Sequence, residues 1–138
     1  MAGARLSPLE AQAHMHAGYI YVDVRSPEEF AEGHPAGAFN VPWAFAGAPN
    51  EHFLRVMRAC FPPGTKLVLG CRSGQRSAAA AAALEAHGWG ELATLGPGYD
   101  GVRDAFGRIL EPGWRRAGLP VDYGEPEGRG WAALLARS

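Results

Sequence analysis

The sequence predicts an α/β domain in which a parallel central sheet has helices on both faces. Short apolar segments, rich in β-branched and aromatic side chains, alternate along the chain with segments that begin with helix-start signals. Short apolar runs of this kind are typical of strands that are buried on both faces, as in a parallel sheet. The length of 138 residues fits one such domain.

The start of the chain predicts a helix, a strand and a second helix. Ser7-Pro8-Leu9-Glu10 combines a capping box with proline at the first helical position, and this helix should end at Gly18. A strand is predicted over Tyr19–Val24. Ser26-Pro27-Glu28-Glu29 then repeats the helix-start pattern, and Gly33 should end that short helix.

The middle of the chain predicts a less regular stretch followed by a buried strand. His34–Pro42 reads as irregular, apart from a brief strand over Phe39–Val41. Asn50 can cap a helix that runs to about Cys60. The apolar run Lys66–Leu69 predicts the next strand, which leads into a polar loop.

The last third of the chain predicts one long helix and one strand before the pattern weakens. The alanine-rich helix is expected to open at Ser77 and to end at Gly88, and a strand should follow over Glu91–Leu95. The glycine-rich segment Gly96–Gly113 has no clear assignment. Trp131–Ala136 predicts a last short helix.

Composition argues against nucleic-acid and membrane partners. The net charge is −1, with 13 basic and 14 acidic residues, which gives no electrostatic basis for binding nucleic acid or an anionic membrane. The longest apolar run, Ala78–Leu84, is far shorter than the ~20 residues of a membrane span. Met1–Arg5 lacks the apolar stretch of a signal peptide, so a cytoplasmic location is predicted.

Any reactive cysteine must be Cys60 or Cys71, which are predicted to be free thiols in a reducing cytosol. Cys71 directly follows the strand that ends at Leu69-Gly70, and ligands of open α/β sheets bind at the carboxyl ends of strands. The amides of the following loop, the start of the next helix, and the charges of Arg72 and Arg76 all favour a thiolate. Cys71 is therefore the candidate nucleophile.

Four segments resemble a known family in the same order along the chain. Cys71-Arg72-Ser73-Gly74-Gln75-Arg76-Ser77 resembles the active-site loop of the rhodanese-domain sulfurtransferases. The other matching segments are Asp23-Val24-Arg25, the signature-like stretch Gly33–Pro42, and Trp114 followed by Gly118-Leu119-Pro120. The resemblance covers roughly Arg5 to Val121. It implies a rhodanese-like fold, with a rhodanese domain over residues 5–122 and a C-terminal extension, residues 123–138, that contains the short helix.

The resemblance also implies a chemistry. Cys71 would take sulfur from a donor such as thiosulfate, carry it as a persulfide, and pass it to cyanide or a thiol. The substrate-binding residues would be the rest of the loop: Arg72, Ser73, Gly74, Gln75, Arg76 and Ser77. Asp23 and Arg25 would hold neighbouring loops together. No metal or organic cofactor is implied, and a protein could also serve as the sulfur acceptor. The chain between Leu95 and Trp114 is longer than in the smallest family members, which leaves the substrate open.

Three alternatives remain at this point. A cysteine phosphatase or arsenate reductase would use Cys-x5-Arg, whereas Cys71 and Arg76 form Cys-x4-Arg, a narrower loop that suits a single sulfur better than a tetrahedral oxyanion. A rhodanese-like module that only binds a partner often lacks the cysteine, so the presence of Cys71 with both arginines argues against this alternative. A protein-to-protein persulfide carrier is compatible with every residue of the loop. Cys60 is expected to be a small core residue, with a resolving thiol as the alternative.

Overall fold

The protein, seen in a computed structural model that describes residues 3–138, is built around a parallel sheet. The strands in chain order are β1 (Ala4–Leu6), β2 (Ile20–Asp23), β3 (His34–Pro35), β4 (Phe39–Asn40), β5 (Ala44–Phe45), β6 (Ala48–Pro49), β7 (Leu67–Gly70), β8 (Leu92–Leu95), β9 (Gly101–Arg103), β10 (Ile109–Pro112) and β11 (Val121–Asp122). The helices are α1 (Pro8–His16), α2 (Pro27–Glu32), α3 (Phe53–Cys60), α4 (Gln75–Ala86) and α5 (Trp131–Arg137).

The central sheet has the order β1-β8-β7-β2-β4, and every pairing in it is parallel. Side chains alternate across it, as a pleated strand requires. Val22 and Leu69 face a core shared with α3, α4 and α5, whereas Tyr21 and Val68 face a second core shared with α1 and α2. The predicted α/β class with helices on both faces is therefore confirmed.

Both predicted capping boxes are present. The Ser7 hydroxyl accepts from the Glu10 amide at 3.2 Å, and the Ser7 amide donates to the Glu10 carboxylate at 2.9 Å. Ser26 and Glu29 make the same reciprocal pair at 3.2 and 3.1 Å. These pairs satisfy amides that a helix start leaves unbonded, which explains why the two helices begin where the sequence indicates.

Two helix starts differ from the sequence prediction. Asn50 does not cap α3, because its side chain donates to the Pro42 carbonyl at 2.8 Å and accepts from the His52 amide at 3.0 Å, which places the helix start at Phe53. Helix α4 begins at Gln75, two residues before Ser77. Gly74 precedes it in the left-handed region, with φ of +104°, a conformation that glycine adopts at low cost.

The unassigned segment Gly96–Gly113 contains an antiparallel hairpin of β9 and β10. The predicted C-terminal helix is present as α5, and Leu134 in it is buried in the same core as Cys71.

The division of the chain at residue 122 stays a prediction. Met1 and Ala2, which contributed to the argument against a signal peptide, lie outside the described residues. Within residues 3–138, no helix combines the length and apolarity that crossing a bilayer would need.

Candidate active site

Cys71 lies at the carboxyl end of β7, between β2 and β8 in the sheet, and its side chain is buried. The Cys71 Sγ accepts hydrogen bonds from the backbone amides of Gly74 at 3.1 Å and Ser77 at 3.4 Å. The loop therefore directs main-chain N–H groups at the sulfur, close to the N-terminus of α4. Both features stabilise negative charge on that atom.

Ser77 is buried against the loop that it closes. Its hydroxyl donates to the Gly74 carbonyl at 3.1 Å and lies 3.5 Å from the Cys71 Sγ, where it can accept from the protonated thiol. Ser77 lies within the first turn of α4, and its side chain bonds the loop that precedes the helix. Ser77 therefore helps to fix the position of the sulfur.

A second chain segment packs directly against the Cys71 loop, and the sequence alone did not assign it. The Tyr99 amide donates to the Cys71 carbonyl at 2.7 Å, and the Asp100 amide donates to the Arg72 carbonyl at 3.0 Å. Gly98 makes this approach possible, because a Cβ there would collide with the Arg72 backbone. The run of glycines around residue 98 was the available signal, since close backbone contact is one reason for glycine.

Arg72 and Asp100 lie on the solvent-exposed side of the Cys71 loop, which we call the mouth of the site, and the Arg72 side chain is 67% exposed. Its Nε donates to Asp100 Oδ2 at 3.0 Å, and Arg115 Nη2 donates to Asp100 Oδ1 at 3.2 Å. Arg72 and Asp100 line two adjoining cavities of about 440 and 360 Å³. The first also contacts Tyr99, and the second is lined by Ser73, Gln75 and Arg103, among others.

Arg76 pairs with Glu29 of α2, a residue that also lines the first cavity. Its Nη1 and Nη2 donate to the two carboxylate oxygens of Glu29 at 2.7 and 3.0 Å. The Arg76 guanidinium is the main reason that the pKa of Glu29 falls to about 2. Arg76 was expected in the substrate-binding set, with a bracing role as the alternative, and this geometry favours bracing.

Asp23 and Arg25 hold two loops together, as the sequence indicated. Arg25 Nη2 donates to Asp23 Oδ2 at 2.6 Å and to the Gly33 carbonyl at 2.7 Å. The guanidinium also lies 4.5 Å from the centre of the Tyr99 ring. Burial opposes the charge on Arg25, but the neighbouring Asp23 carboxylate outweighs it and raises the pKa of the guanidinium. This buried pair therefore fixes the wall of the first cavity.

Comparison with known proteins assigns the chain to a family. The family model described as a rhodanese-like domain matches residues 7–105. The chain belongs to the rhodanese-like domain family.

Named relatives of this rhodanese-like domain include plant proteins. Thiosulfate sulfurtransferase 16, chloroplastic, from Arabidopsis thaliana is 38% identical over 109 residues, covering 76% of this chain and 81% of the relative. The senescence-associated protein DIN1 of Raphanus sativus is 36% identical over 110 residues, covering 77% of this chain. The chain spans only 54% of the length of that second relative.

A solved structure shares the fold over almost its whole length. The crystal structure of Rv0390 from M. tuberculosis has 30% sequence identity and a TM-score of 0.76, covering 88% of this chain and 98% of that one. The predicted rhodanese-like fold is therefore confirmed.

Cys60, the other thiol of this rhodanese-like domain, lies at the end of α3 and faces α5. Both cysteines are free. Cys60 is half-buried, packs against the core, and has its Sγ 3.8 Å from the Leu134 carbonyl oxygen. This environment favours a packing role over a resolving thiol.

Proposed function

We propose that the protein is a sulfurtransferase that carries sulfane sulfur on Cys71, taking it from a donor such as thiosulfate and passing it to cyanide or a thiol. The observation that carries the proposal is the pair of backbone amides, from Gly74 and Ser77, that bond the Cys71 Sγ. A relative named thiosulfate sulfurtransferase supports the same reaction class.

In the first half-reaction, the Cys71 thiolate attacks the outer sulfur of thiosulfate. A new S–S bond forms to Sγ, the bond between the outer sulfur and the sulfonate sulfur breaks, and its electron pair leaves with sulfite. In the second half-reaction, cyanide or a thiolate attacks the outer sulfur of the persulfide, and Cys71 returns as the thiolate. This is covalent catalysis in two displacement steps.

The loop residues divide into three roles under this proposal. The amides of Gly74 and Ser77 stabilise the negative sulfur, which requires no side-chain cation. Arg72, Ser73 and Gln75 line the cavities through which a donor would approach. Arg76 holds the loop against α2 through Glu29.

The geometry gives less support to phosphate chemistry. A phosphatase loop needs an arginine free to clamp the phosphate oxygens, whereas both Nη atoms of Arg76 are engaged by Glu29. Turnover of a phosphate ester that disappears in Cys71→Ser would contradict the sulfur proposal.

The decisive experiment is intact mass spectrometry after incubation with thiosulfate. The wild type and Cys60→Ser should each gain one sulfur atom, which a thiol reductant removes, and Cys71→Ser should gain none. In the presence of cyanide, the wild type and Cys60→Ser should form thiocyanate, and Cys71→Ser should form none. Loss of sulfur uptake in both single variants would instead indicate a relay between the two cysteines. A cytoplasmic location and a possible protein acceptor stay part of this proposal.

A further inference from the structure

We propose that Asp100 sets the charge selectivity of the Cys71 site by offsetting the arginines at its mouth, so that anionic sulfur donors are attracted less strongly than they would be without it. Asp100 acts on the site proposed above, so its biological role rests on the proposed sulfur transfer. Its effect on charged reagents at Cys71 is measurable without that reaction.

Asp100 is fixed to the Cys71 loop by its backbone as well as by its side chain. Its amide donates to the carbonyl of Arg72, the residue next to Cys71, at 3.0 Å. The preceding residue, Tyr99, donates to the Cys71 carbonyl itself. Asp100 is therefore held next to Arg72, the residue that follows Cys71.

The Asp100 carboxylate accepts hydrogen bonds from two guanidinium groups. Arg72 Nε and Arg115 Nη2 bond different oxygens of Asp100, at 3.0 and 3.2 Å. Two positive charges and one negative charge leave a net charge of +1 in this cluster. The side chains of both arginines are more than half exposed, so solvent and incoming ions reach the cluster.

The cluster also borders the open space next to the Cys71 loop. Arg72 and Asp100 form the boundary shared by the two cavities that border the loop. An anion that enters either cavity meets Arg72 already paired with Asp100, and has to compete with that carboxylate for the guanidinium. Removing the carboxylate would raise the net charge of this cluster from +1 to +2, and focused potential of this kind raises the local concentration of counter-ions.

The test compares alkylation of Cys71 by anionic iodoacetate and by neutral iodoacetamide, in a Cys60→Ser background and at a pH at which the thiolate is fully formed. The measured quantity is the ratio of the two rates, because any change in loop order or thiolate content alters both rates together. Asp100→Asn should raise the ratio roughly twofold to fivefold, the scale of one exposed charge interaction. Arg115→Gln should lower it by a similar factor.

Asp104→Asn is the matched control. Asp104 also pairs with an arginine, and its side chain is 22% exposed, against 24% for Asp100. It lies in the turn of the β9–β10 hairpin, so the same change of net charge there should leave the ratio unchanged. At about 1 M salt, where the screening length is only ~3 Å, the Asp100→Asn effect should shrink.

The proposal is overturned if Asp100→Asn gives the wild-type ratio, gives the same ratio as Asp104→Asn, or changes both rates by one common factor. If Asp100→Asn does not fold, Arg115→Gln decides alone, and an unchanged ratio overturns the proposal. A response of the ratio in a protein that takes no sulfur from thiosulfate would refute the proposed function and leave the charge role of Asp100 standing.

Discussion

Replacing Arg76 or Glu29 tests whether Arg76 braces the loop or binds the donor. The two side chains form a two-pronged ion pair that connects the start of α4 to α2, with distances of 2.7 and 3.0 Å. We expect Arg76→Gln and Glu29→Gln each to destabilise the protein, and the double variant to cost less than the sum of the two.

The size of the coupling follows from the acidity of Glu29. Its pKa falls from an ordinary value of 4.5 to about 2, mainly because of Arg76, with a smaller part from the Ser26 amide. A lowering of that size corresponds to roughly 3 kcal/mol. The side chains of Arg76 and Glu29 are 33% and 28% exposed, so screening by solvent should reduce the coupling free energy between them to about 1–2 kcal/mol.

The assay is a double-mutant cycle on the free energy of unfolding, measured by chemical denaturation at several pH values. Because the pKa of Glu29 is lower in the folded state, its contribution is fully present above about pH 4.5 and is lost as the pH falls toward 2. The coupling should therefore be largest near neutral pH and decline in acid.

Kinetics complete the test. If Arg76 braces the loop, Arg76→Gln should slow the reaction of Cys71 with iodoacetamide and with thiosulfate by similar factors, and Glu29→Gln should do the same. A coupling energy near zero at neutral pH would refute the bracing role. A selective loss of the thiosulfate reaction, with unchanged iodoacetamide reactivity, would return Arg76 to the donor-binding set.

Two further substitutions test packing around the site by chemical denaturation. Gly98→Ala should lower the free energy of unfolding by more than about 1 kcal/mol and slow Cys71 alkylation, because a Cβ there collides with the Arg72 backbone. Gly64→Ala is the control, since Gly64 also has a positive φ but a Cβ there meets nothing within 4 Å, and it should leave alkylation unchanged. Equal alkylation rates in the two variants would contradict this reasoning. Tyr21→Phe should leave the free energy of unfolding unchanged or raise it by up to about 1 kcal/mol, since the buried Tyr21 hydroxyl has no hydrogen-bond partner within residues 3–138. A decrease of more than about 1 kcal/mol would instead indicate that the hydroxyl has a partner that stabilises the protein.

The sequence was most informative where a local pattern determines a local structure. The capping boxes at Ser7 and Ser26 predicted two helix starts, because each box is closed by residues three positions apart. The place of Cys71 at a strand end was predictable for a similar reason, since an apolar run leads directly into a polar loop.

Long-range contacts were less predictable. The strand Ala4–Leu6 was not expected, because its three residues form a strand only through pairing with β8, almost 90 positions later. The partner of Arg76 lies 47 residues away, and no spacing rule connects it to Glu29. The contact of Gly98 with the Cys71 loop likewise depends on how the whole sheet brings distant segments together.

The β9–β10 hairpin is attached to the rest of the domain at its base and, in β10, through the ion pair of Glu111 with Arg5 at 2.8 Å. Trp114 and Arg115 donate backbone hydrogen bonds to Gly98 and Tyr99, so the segment just after β10 is bonded to the segment just before β9. Its turn is exposed, and Phe106 there is 85% accessible to solvent. A segment closed at its base in this way tolerates insertion or exchange. The turn between Arg103 and Ile109 is therefore the place to insert a peptide tag or fluorophore near the Cys71 loop without removing the contacts that support that loop.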